Sequence, residues 1–213
     1  MKGNGFHPPV TLRGRYAELV PVERAHIPGL AHAGRDPNVW RFLRIGPGRT
    51  VAEMTTFVEE MLATQSTGSI LPFTVLALPE RLPAGFFRYL DIDRENRWVE
   101  TGTWLDSTRW RTPLNTEVKY LALRYAFEAE GFHRVQLRTD LRNERSQHAI
   151  ERLGGVREGS HREHFRLRDG SYRTSIVYSI LASEWPTVKQ RLEEKLARPW
   201  PDATPAPPGA VSP

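Results

Sequence analysis

The sequence predicts an α/β (α+β) fold in which a mixed sheet of about seven strands is flanked by helices. Two observations lead to this prediction. Strand-like and helix-like segments follow one another in the order β-α-α-β-β-β-α-β-α-β-β-α. The first half of the chain contains a hairpin, whereas residues 97–139 have the strand–helix–strand pattern of a parallel crossover. A sheet that contains both kinds of connection is mixed.

The predicted strands are short runs of apolar, β-branched and aromatic residues that are bounded by turn residues. Residues 79–83 form the turn of the first hairpin, and Asp169-Gly170 is a dipeptide that favours a hairpin turn between the last two strands. The predicted strands cover residues 16–21, 70–78, 85–91, 97–105, 135–139, 162–167 and 173–181.

The predicted helices follow from apolar residues at helical spacing and from residues that begin or end helices. In the strongest of them, Val118, Leu121 and Tyr125 lie on one face, and Gly131 ends the helix. The predicted helices cover residues 21–34, 115–130, 144–153 and 183–196, together with one that begins after Thr50. The expected caps are Thr50, either Asn115 or Thr116, and Ser183.

Composition limits the class of protein. The chain has no cysteine, which excludes a disulfide framework, a thiolate metal site and a cysteine nucleophile. No run approaches the roughly 18 apolar residues of a membrane span, and the first residues lack the apolar stretch of a signal peptide. No H-x-x-x-H motif or carboxylate cluster indicates a metal site. We therefore expect a cytoplasmic protein with no membrane segment and no metal.

One domain is expected over residues 10–197, between a flexible N-terminus of residues 1–9 and a Pro-rich disordered tail of residues 198–213. The chain carries 30 Lys plus Arg against 25 Asp plus Glu, a net charge of +5 over 213 residues. This modest excess fits a nucleic acid, an acidic protein or an anionic cofactor equally well. An Arg-rich solvated surface is the simplest alternative.

The chemistry is concentrated in residues 100–159. A strand ends there and a polar loop, residues 106–115, opens a long helix. Free backbone N–H groups and the positive end of the helix dipole favour an anion at such a place, and Arg109 and Arg111 add positive charge. An ordinary capped helix is the alternative interpretation.

A second junction between a strand and a helix follows about 30 residues later, where Asn143 and Ser146 lie at the start of the next helix. Both junctions are expected at the same edge of the sheet. Together they predict a crevice for an extended, phosphorylated ligand.

Three stretches carry a resemblance that extends over about residues 10–195. They are WLDSTRWRTPLNTEVKYLALRYAFE (104–128), RNERSQHAIERLGGVREG (142–159) and VYSILASEWP (177–186). The sequence resembles the GCN5-related N-acetyltransferase (GNAT) superfamily, and within it the branch that acetylates the N-terminal alanine or serine of ribosomal proteins. The resemblance implies a GNAT fold, with a mixed, mostly antiparallel sheet that is splayed in the middle.

The resemblance also implies acetyl-CoA as the cofactor. Its pyrophosphate should lie on the backbone amides of residues 111–116, while Trp104 and Leu105 should pair with the pantetheine arm in the manner of a strand. Asn143 should hydrogen-bond that arm or a phosphate. The cofactor-binding residues implied in this way are Trp104, Leu105, Arg109, Arg111, Thr112, Leu114, Asn115, Thr116 and Asn143.

Two positions depart from the family pattern. Pro113 stands where the pyrophosphate loop usually has glycine, so the loop loses one N–H donor or shifts by one residue, although proline suits the first position of a helix. The helix after Asn143 lacks the tyrosine that many members use as the acid. The ribosomal branch has a serine there, so Ser146 is the candidate that donates a hydrogen bond to the leaving thiolate. A local backbone bond is the alternative role of Ser146.

The acceptor must reach the thioester as a neutral amine, for which a base is helpful. Glu100 is one candidate base, and Glu163 or His164 is another. Strand alternation would place His164 on one face with Arg162 and Arg166, whose charges would keep its pKa low. A surface carboxylate and a solvated strand face are the respective alternatives.

The acceptor pocket of the family lies between the first two helices and the last hairpin. At those places this chain has Trp40, Phe42 and Tyr172, and packing in the core is the alternative role for Trp40 and Phe42.

The predicted function is direct acetyl transfer from acetyl-CoA to a primary amine, such as the N-terminal amine of a ribosomal or other protein. A small amine, such as an aminoglycoside or a polyamine, is one alternative acceptor. A non-catalytic acyl-CoA, RNA or ribosome-binding module is the alternative of a different class. Direct binding of nucleic acid is not expected of the enzyme, and both a monomer and a homodimer remain open.

Overall fold

The computed structural model describes residues 10–167 and 169–200. The predicted flexible N-terminus, residues 1–9, lies outside the described residues. Residues 201–213 of the predicted Pro-rich tail also lie outside them, as does Arg168.

An eight-stranded sheet forms the centre of the described chain, with the strand order β1-β2-β3-β4-β5-β6-β8-β7. The strands are β1 (Leu12–Arg13), β2 (Ala17–Pro21), β3 (Leu71–Ala77), β4 (Leu82–Asp93), β5 (Trp98–Leu105), β6 (Arg134–Asp140), β7 (Val156–Arg166) and β8 (Tyr172–Leu181). All neighbouring pairs are antiparallel except β5 and β6. The predicted mixed, mostly antiparallel sheet is confirmed, and the added strand is the two-residue β1.

Helices cover both faces of this sheet. They are α1 (Ile27–Ala33), α2 (Val51–Gln65), α3 (Pro113–Arg124), α4 (Glu144–Arg152) and α5 (Trp185–Ala197). One apolar cluster joins α1 and α2 to Phe86, Leu90 and Trp104 of the sheet. A larger cluster joins α3, α4 and α5 to the opposite face. Successive strand residues therefore face different layers.

The first residues of the helices show which of the predicted capping residues were correct. Thr50 caps α2, and its side chain and that of Glu53 satisfy each other's backbone N–H groups, as expected. The expectation for α3 was wrong, because Thr112 is its cap. The Thr112 hydroxyl accepts from the Leu114 N–H, and Pro113 takes the first helical position, where a missing N–H costs nothing.

The start of α5 and the length of the last hairpin also differ from expectation. Ser183 does not cap α5, whose cap residue is Glu184 without a side-chain capping bond. β7 begins six residues earlier than predicted. Its register against β8 shifts between His161 and Phe165, where Glu163 has φ +48°. This bulge breaks the simple alternation that would have placed Arg162, His164 and Arg166 on one face.

The parallel pair β5–β6 is joined along only half of its length. Trp98–Thr101 pair with Arg134–Leu137, and the pairing then stops. The rest of β5, Gly102–Leu105, and the rest of β6, residues 138–140, diverge, so the predicted splay in the middle of the sheet is confirmed. The helices that follow these two strands, α3 and α4, both begin beside the gap.

Candidate active site

A cavity of about 600 Å³ lies in the gap between β5 and β6. Residues from the gap, from the starts of α3 and α4, and from the loop between α1 and α2 line it. The structure brings to this wall the following residues that the sequence singled out: Phe42, Glu100, Trp104, Leu105, Arg111, Thr112, Asn115, Thr116, Asn143 and Ser146.

The first end of the cavity, which we call the phosphate mouth, consists of Arg111, Thr112 and Arg145. Arg111 has φ +65°, a left-handed conformation in which few non-glycine residues are found. Within residues 10–167 and 169–200, the backbone N–H groups of Arg111 and Thr112 meet no acceptor. Two free N–H groups at the positive end of α3 could hold a phosphate.

Arg145 brings a second cation to the phosphate mouth. Its guanidinium carbon lies 3.2 Å from the centroid of the Trp110 ring, which is itself held by a hydrogen bond from Nε1 to the Leu105 carbonyl oxygen at 3.1 Å. Burial, together with the positive charge of Arg111, lowers the pKa of Arg145. An anion at this place would relieve the repulsion between the two arginines.

The free edge of β5 offers backbone groups to an extended ligand. The backbone N–H of Asp106 donates to the Ala84 oxygen at 2.9 Å. This bond fixes which residues of β5 point their backbone N–H and C=O groups towards β4 and which point them away from it. The backbone of Trp104 therefore faces β4, while that of Thr103 and Leu105 faces the gap. The backbone groups of β5 that face the gap beside Trp104 are therefore those of Thr103 and Leu105, and the pairing of Trp104 and Leu105 with a ligand stays a prediction. The Trp104 ring packs with Trp40 and Phe86 and also reaches the cavity wall.

Lys119 of α3 is a cavity residue that sequence reasoning missed. Its Nζ donates to Thr103 Oγ1 at 2.8 Å and to Thr101 Oγ1 at 3.4 Å. The residue is buried, and burial lowers the pKa of Lys119 to about 8. The ammonium lies beneath the free part of β5, between the two ends of the cavity.

Ser146 lies in the first turn of α4. Asn143 caps this helix, and its Oδ1 accepts from the backbone N–H of Ser146 at 3.2 Å. Within the described part of the chain, the Ser146 hydroxyl makes no hydrogen bond, so a local backbone bond does not occupy it. The hydroxyl and the Asn143 amide N–H₂ group are both available at the cavity wall.

The second end of the cavity, which we call the acceptor mouth, consists of Glu100 with Arg44, Arg88, Arg138 and Arg173. Glu100 is buried, and its Oε2 accepts from Gln136 Nε2 at 2.9 Å and pairs with Arg138 Nε. No hydrogen bond to Glu100 Oε1 comes from residues 10–167 or 169–200. That oxygen could therefore accept from an amine.

Sequence reasoning missed all four arginines of the acceptor mouth. A usable signal was present only at Arg88, which stands alone in the apolar run Phe86–Leu90, whereas Arg138 and Arg173 have polar neighbours in their strands. An isolated charge in a buried strand requires a polar environment.

Five predicted site residues do not line the cavity. Leu114 and Trp40 are in the core, where the Trp40 Nε1 donates to the Gly34 oxygen at 2.6 Å. Tyr172 is exposed at the far end of the last hairpin. Arg109 lies in the turn before α3. The His164 ring stacks on the Phe165 ring, with 3.7 Å between the two ring centroids. Burial and neighbouring arginines lower the pKa of His164.

The described part of the chain also bears on two other features, a metal site and a membrane-spanning helix. It contains no group of three or more His, Cys, Asp or Glu side chains that could hold a metal ion. None of the helices in that part is both long enough and apolar enough to cross a bilayer. Trp200, which falls in the predicted tail, is described and contributes to the cavity wall beside Lys195.

Comparison with known proteins identifies the family of this chain. Residues 17–156 match the family model described as an Acetyltransferase (GNAT) domain. The chain is 29% identical over 101 residues to the "Putative ribosomal N-acetyltransferase YdaF" of Bacillus subtilis (strain 168). That match covers 47% of this chain and 55% of the relative, so the chain spans about half the length of the curated relative that it matches.

Two solved structures have the same architecture. A "putative acetyltransferase" from T. thermophilus is 39% identical with a TM-score of 0.80, over 90% of this chain and 99% of that one. A GCN5-related N-acetyltransferase from Brucella melitensis is 28% identical with a TM-score of 0.82, over 89% of this chain and 86% of that one. Because the family model spans more than half of the sequence, the chain belongs to the GNAT acetyltransferase family.

Proposed function

We propose that this protein is an acetyl-CoA-dependent N-acetyltransferase that transfers the acetyl group directly to a primary amine. The observation that carries the proposal is the single cavity wall that joins the free N–H groups of Arg111 and Thr112 to Glu100. It supplies an anion site at one end and a carboxylate for an amine at the other. GNAT acetyltransferases use acetyl-CoA, which fits a gap of this shape.

The cofactor side has residues that suit each part of such a molecule. Arg111, Thr112 and Arg145 would hold the pyrophosphate through two N–H groups and two guanidiniums. The free backbone groups of Thr103 and the N–H of Leu105 would hold the amide-containing arm as a neighbouring strand does. When bound, acetyl-CoA supplies the acetyl group as a thioester.

On the amine side, Glu100 Oε1 would receive the proton that the amine loses as its nitrogen bonds to the acetyl carbon. The Ser146 hydroxyl would donate a hydrogen bond to the sulfur that leaves. The chain has no cysteine, so no acyl-cysteine route is open to it and direct transfer is the simplest course.

For the acceptor we propose the N-terminal amine of a protein in the cytoplasm, which the name of the Bacillus subtilis relative suggests. The charge of the cavity argues against the alternative acceptors. Arg44, Arg88 and Arg173 would repel an aminoglycoside or a polyamine, both of which are polycations.

Calorimetric titration with acetyl-CoA tests the cofactor half of the proposal. We expect binding, and no heat at hundreds of micromolar would contradict an enzyme. Salt-dependent RNA binding in that case would identify a nucleic-acid-binding module instead.

Thiol release with acetyl-CoA tests the transfer half. Peptides with a free N-terminus should release thiol and their N-acetylated counterparts should not. Equal release from the two sets, or release only with polyamines, would contradict a protein N-terminus as acceptor.

A further inference from the structure

Three arginines of the acceptor mouth lack a carboxylate partner. Within residues 10–167 and 169–200, no Asp or Glu oxygen lies within 4.0 Å of the guanidinium nitrogens of Arg44, Arg88 or Arg173. Arg138 differs from them, because it pairs with Glu100 and with Asp91. Glu100 and Asp91 are thus both engaged by one arginine, and Asp140, whose charge acts on Arg173, is paired with Arg142.

Arg173 is the most deeply buried of the three. The residue is only 8% exposed on β8, and it lines the cavity. Its Nη1 donates to the Phe42 carbonyl oxygen at 3.2 Å. Its Nε is buried and has no hydrogen-bond partner. A guanidinium in this position still has donors to offer.

Arg88 lies over the point at which β5 leaves β6. Its strand neighbour is Gly102, the first residue of β5 after the last pair with β6. A Cβ on Gly102 would lie 3.5 Å from Arg88 Nε. That Nε is also buried without a partner, and Nη1 meets only the thioether sulfur of Met61 at 3.3 Å.

Arg44 completes the group from the loop between α1 and α2. It is exposed, and its guanidinium carbon lies 3.8 Å from the centroid of the Phe165 ring. Stacking on Phe165 leaves its N–H edge free to bind a ligand.

The buried charges are only partly compensated within the described part of the chain. Burial is the largest cause that lowers the pKa of Arg88 and of Arg173, and the charge of Arg44 adds to the effect at both. Glu100 and one further carboxylate at each arginine oppose this effect, but none of them lies within 4.0 Å of either guanidinium. Arginine nevertheless remains protonated, so the cost of desolvation persists in the free protein. An anion with two oxygens in a plane matches guanidinium donors and offsets that cost.

We propose that the acceptor carries a carboxylate close to its primary amine, and that Arg88 and Arg173, with Arg44 at the rim, bind this carboxylate while Glu100 receives the amine. The proposal rests on the proposed function for the position of the amine. A carboxylate fits better than a phosphate, since Glu100 shares the mouth and repels a dianion more strongly than a monoanion. A peptide with an acidic side chain near its N-terminus presents this chemistry and agrees with the acceptor proposed above. A free amino acid presents it too and would replace a protein N-terminus as the acceptor.

Matched pairs of probes that differ by one carboxylate test the proposal and distinguish the two sources. Alanine against alaninamide tests the α-carboxylate of a free amino acid. The amidated peptides serine-glutamate-glycine and serine-glutamine-glycine test a side-chain carboxylate. In at least one pair, kcat/KM by thiol release and affinity by calorimetry should favour the acidic member about tenfold.

Variants show whether the arginines cause the preference. Arg88→Gln and Arg173→Gln should each lower kcat/KM and affinity for the acidic member about tenfold and change those for the neutral member less than about twofold. Arg44→Ala, at an exposed position, gives a third variant if a buried one does not fold. Arg191→Gln, on the exposed side of α5, is the matched control and should preserve the preference.

The two proposals fail in different ways. Acetylation of neutral and acidic amines with equal efficiency would overturn the carboxylate proposal and leave the enzyme proposal standing. If acetyl-CoA did not bind, calorimetry on the same pairs would still be decisive. Preferential binding of the acidic member that Arg88→Gln abolishes would uphold the carboxylate site, and equal binding would overturn it.

Discussion

The two mouths of the cavity are both rich in arginine, but they differ in burial and in origin. At the phosphate mouth Arg111 and Arg145 are exposed, although the Trp110 ring covers one face of the Arg145 guanidinium, and they lie beside the starts of two helices. At the acceptor mouth Arg88 and Arg173 are partly or almost fully buried and come from different strands. Exposed cations at helix ends attract any phosphate, whereas buried ones select an anion of matching shape.

This difference predicts unequal responses to mutation and to salt. Surface charges are screened within about 10 Å at 0.1 M salt, whereas buried charges are screened much less. Removal of a group from the acceptor mouth should therefore have the larger effect on turnover, and its effect should persist at high salt.

The largest effect is expected for Glu100→Gln, which keeps the shape of the side chain and removes the base. We expect kcat to fall about 100-fold while KM for acetyl-CoA is unchanged, as for the loss of a general base. Thiol-release kinetics at saturating amine measure this. Asp91→Asn removes the other carboxylate partner of Arg138 and, at an exposed position, should alter kcat less than about twofold. An unchanged kcat in Glu100→Gln would remove this residue from the mechanism.

The next largest effect is expected on the free energy of unfolding, when Lys119, which lies between the two mouths, is replaced. The fall of its pKa from 10.5 to about 8 corresponds to a cost of roughly 3 kcal/mol at neutral pH. Lys119→Met removes this cost and also the bond to Thr103, so we expect a gain of about 2 kcal/mol in the free energy of unfolding. Urea denaturation at pH 7 measures this gain.

The pH dependence of that gain has a definite sign. Below pH 8 the lysine is charged in both the folded and the unfolded states, and the cost of burial is fully present. As the pH rises from 8 towards 10.5, only the unfolded state keeps the proton, so the cost disappears. The advantage of Lys119→Met should therefore shrink across this window. A variant that is less stable than the wild type at pH 7 would contradict burial as the cause.

A moderate effect is expected at the phosphate mouth. Arg111→Ala should raise KM for acetyl-CoA about tenfold at low salt, through the loss of about 1.4 kcal/mol of binding. Because Arg111 is exposed, the difference from wild type should narrow as salt rises. Arg191→Ala, a surface arginine on α5, is the control. A salt-independent increase in KM would show that Arg111 acts through loop structure rather than through charge.

The smallest effect is expected for Ser146→Ala. The cap of α4 uses the backbone N–H of Ser146, which the variant keeps, so stability should not change. A single hydrogen bond to developing charge predicts a fall in kcat of about fivefold. A loss above about 100-fold would instead indicate that the hydroxyl transfers the proton itself, and no loss would indicate a purely structural residue.

The same two mouths explain what could be predicted from the sequence. The phosphate mouth is local, since Arg111, Thr112 and Asn143 stand next to helix starts that capping residues and apolar spacing reveal. The family membership inferred from the three matching stretches is confirmed by the family model, which matches residues 17–156. The cap was misplaced, because Thr112 followed by Pro113 is a better start than Asn115. Arg109 and Leu114 were also expected here but do not line the cavity, and Arg145 was not predicted.

The acceptor mouth could not be predicted in this way. Arg44, Arg88 and Arg173 lie far apart in the chain. The sheet brings Arg88 and Arg173 to one wall, and the loop between α1 and α2 adds Arg44. The sequence instead suggested Arg162 and Arg166, because strict alternation hides the bulge in β7. Trp40 was expected at the acceptor, but its ring fills the space beside Gly46, where an added Cβ would lie 2.2 Å from it.

The most direct test of the division between the mouths is a pair of Michaelis constants, one for acetyl-CoA and one for a carboxylate-bearing amine, in Arg111→Ala and in Arg88→Gln. We predict that Arg111→Ala raises only the constant for acetyl-CoA and that Arg88→Gln raises only the constant for the amine, each by about tenfold. Equal changes of both constants in both variants would show that the cavity is one undivided site, and would contradict the separate roles assigned to its two ends.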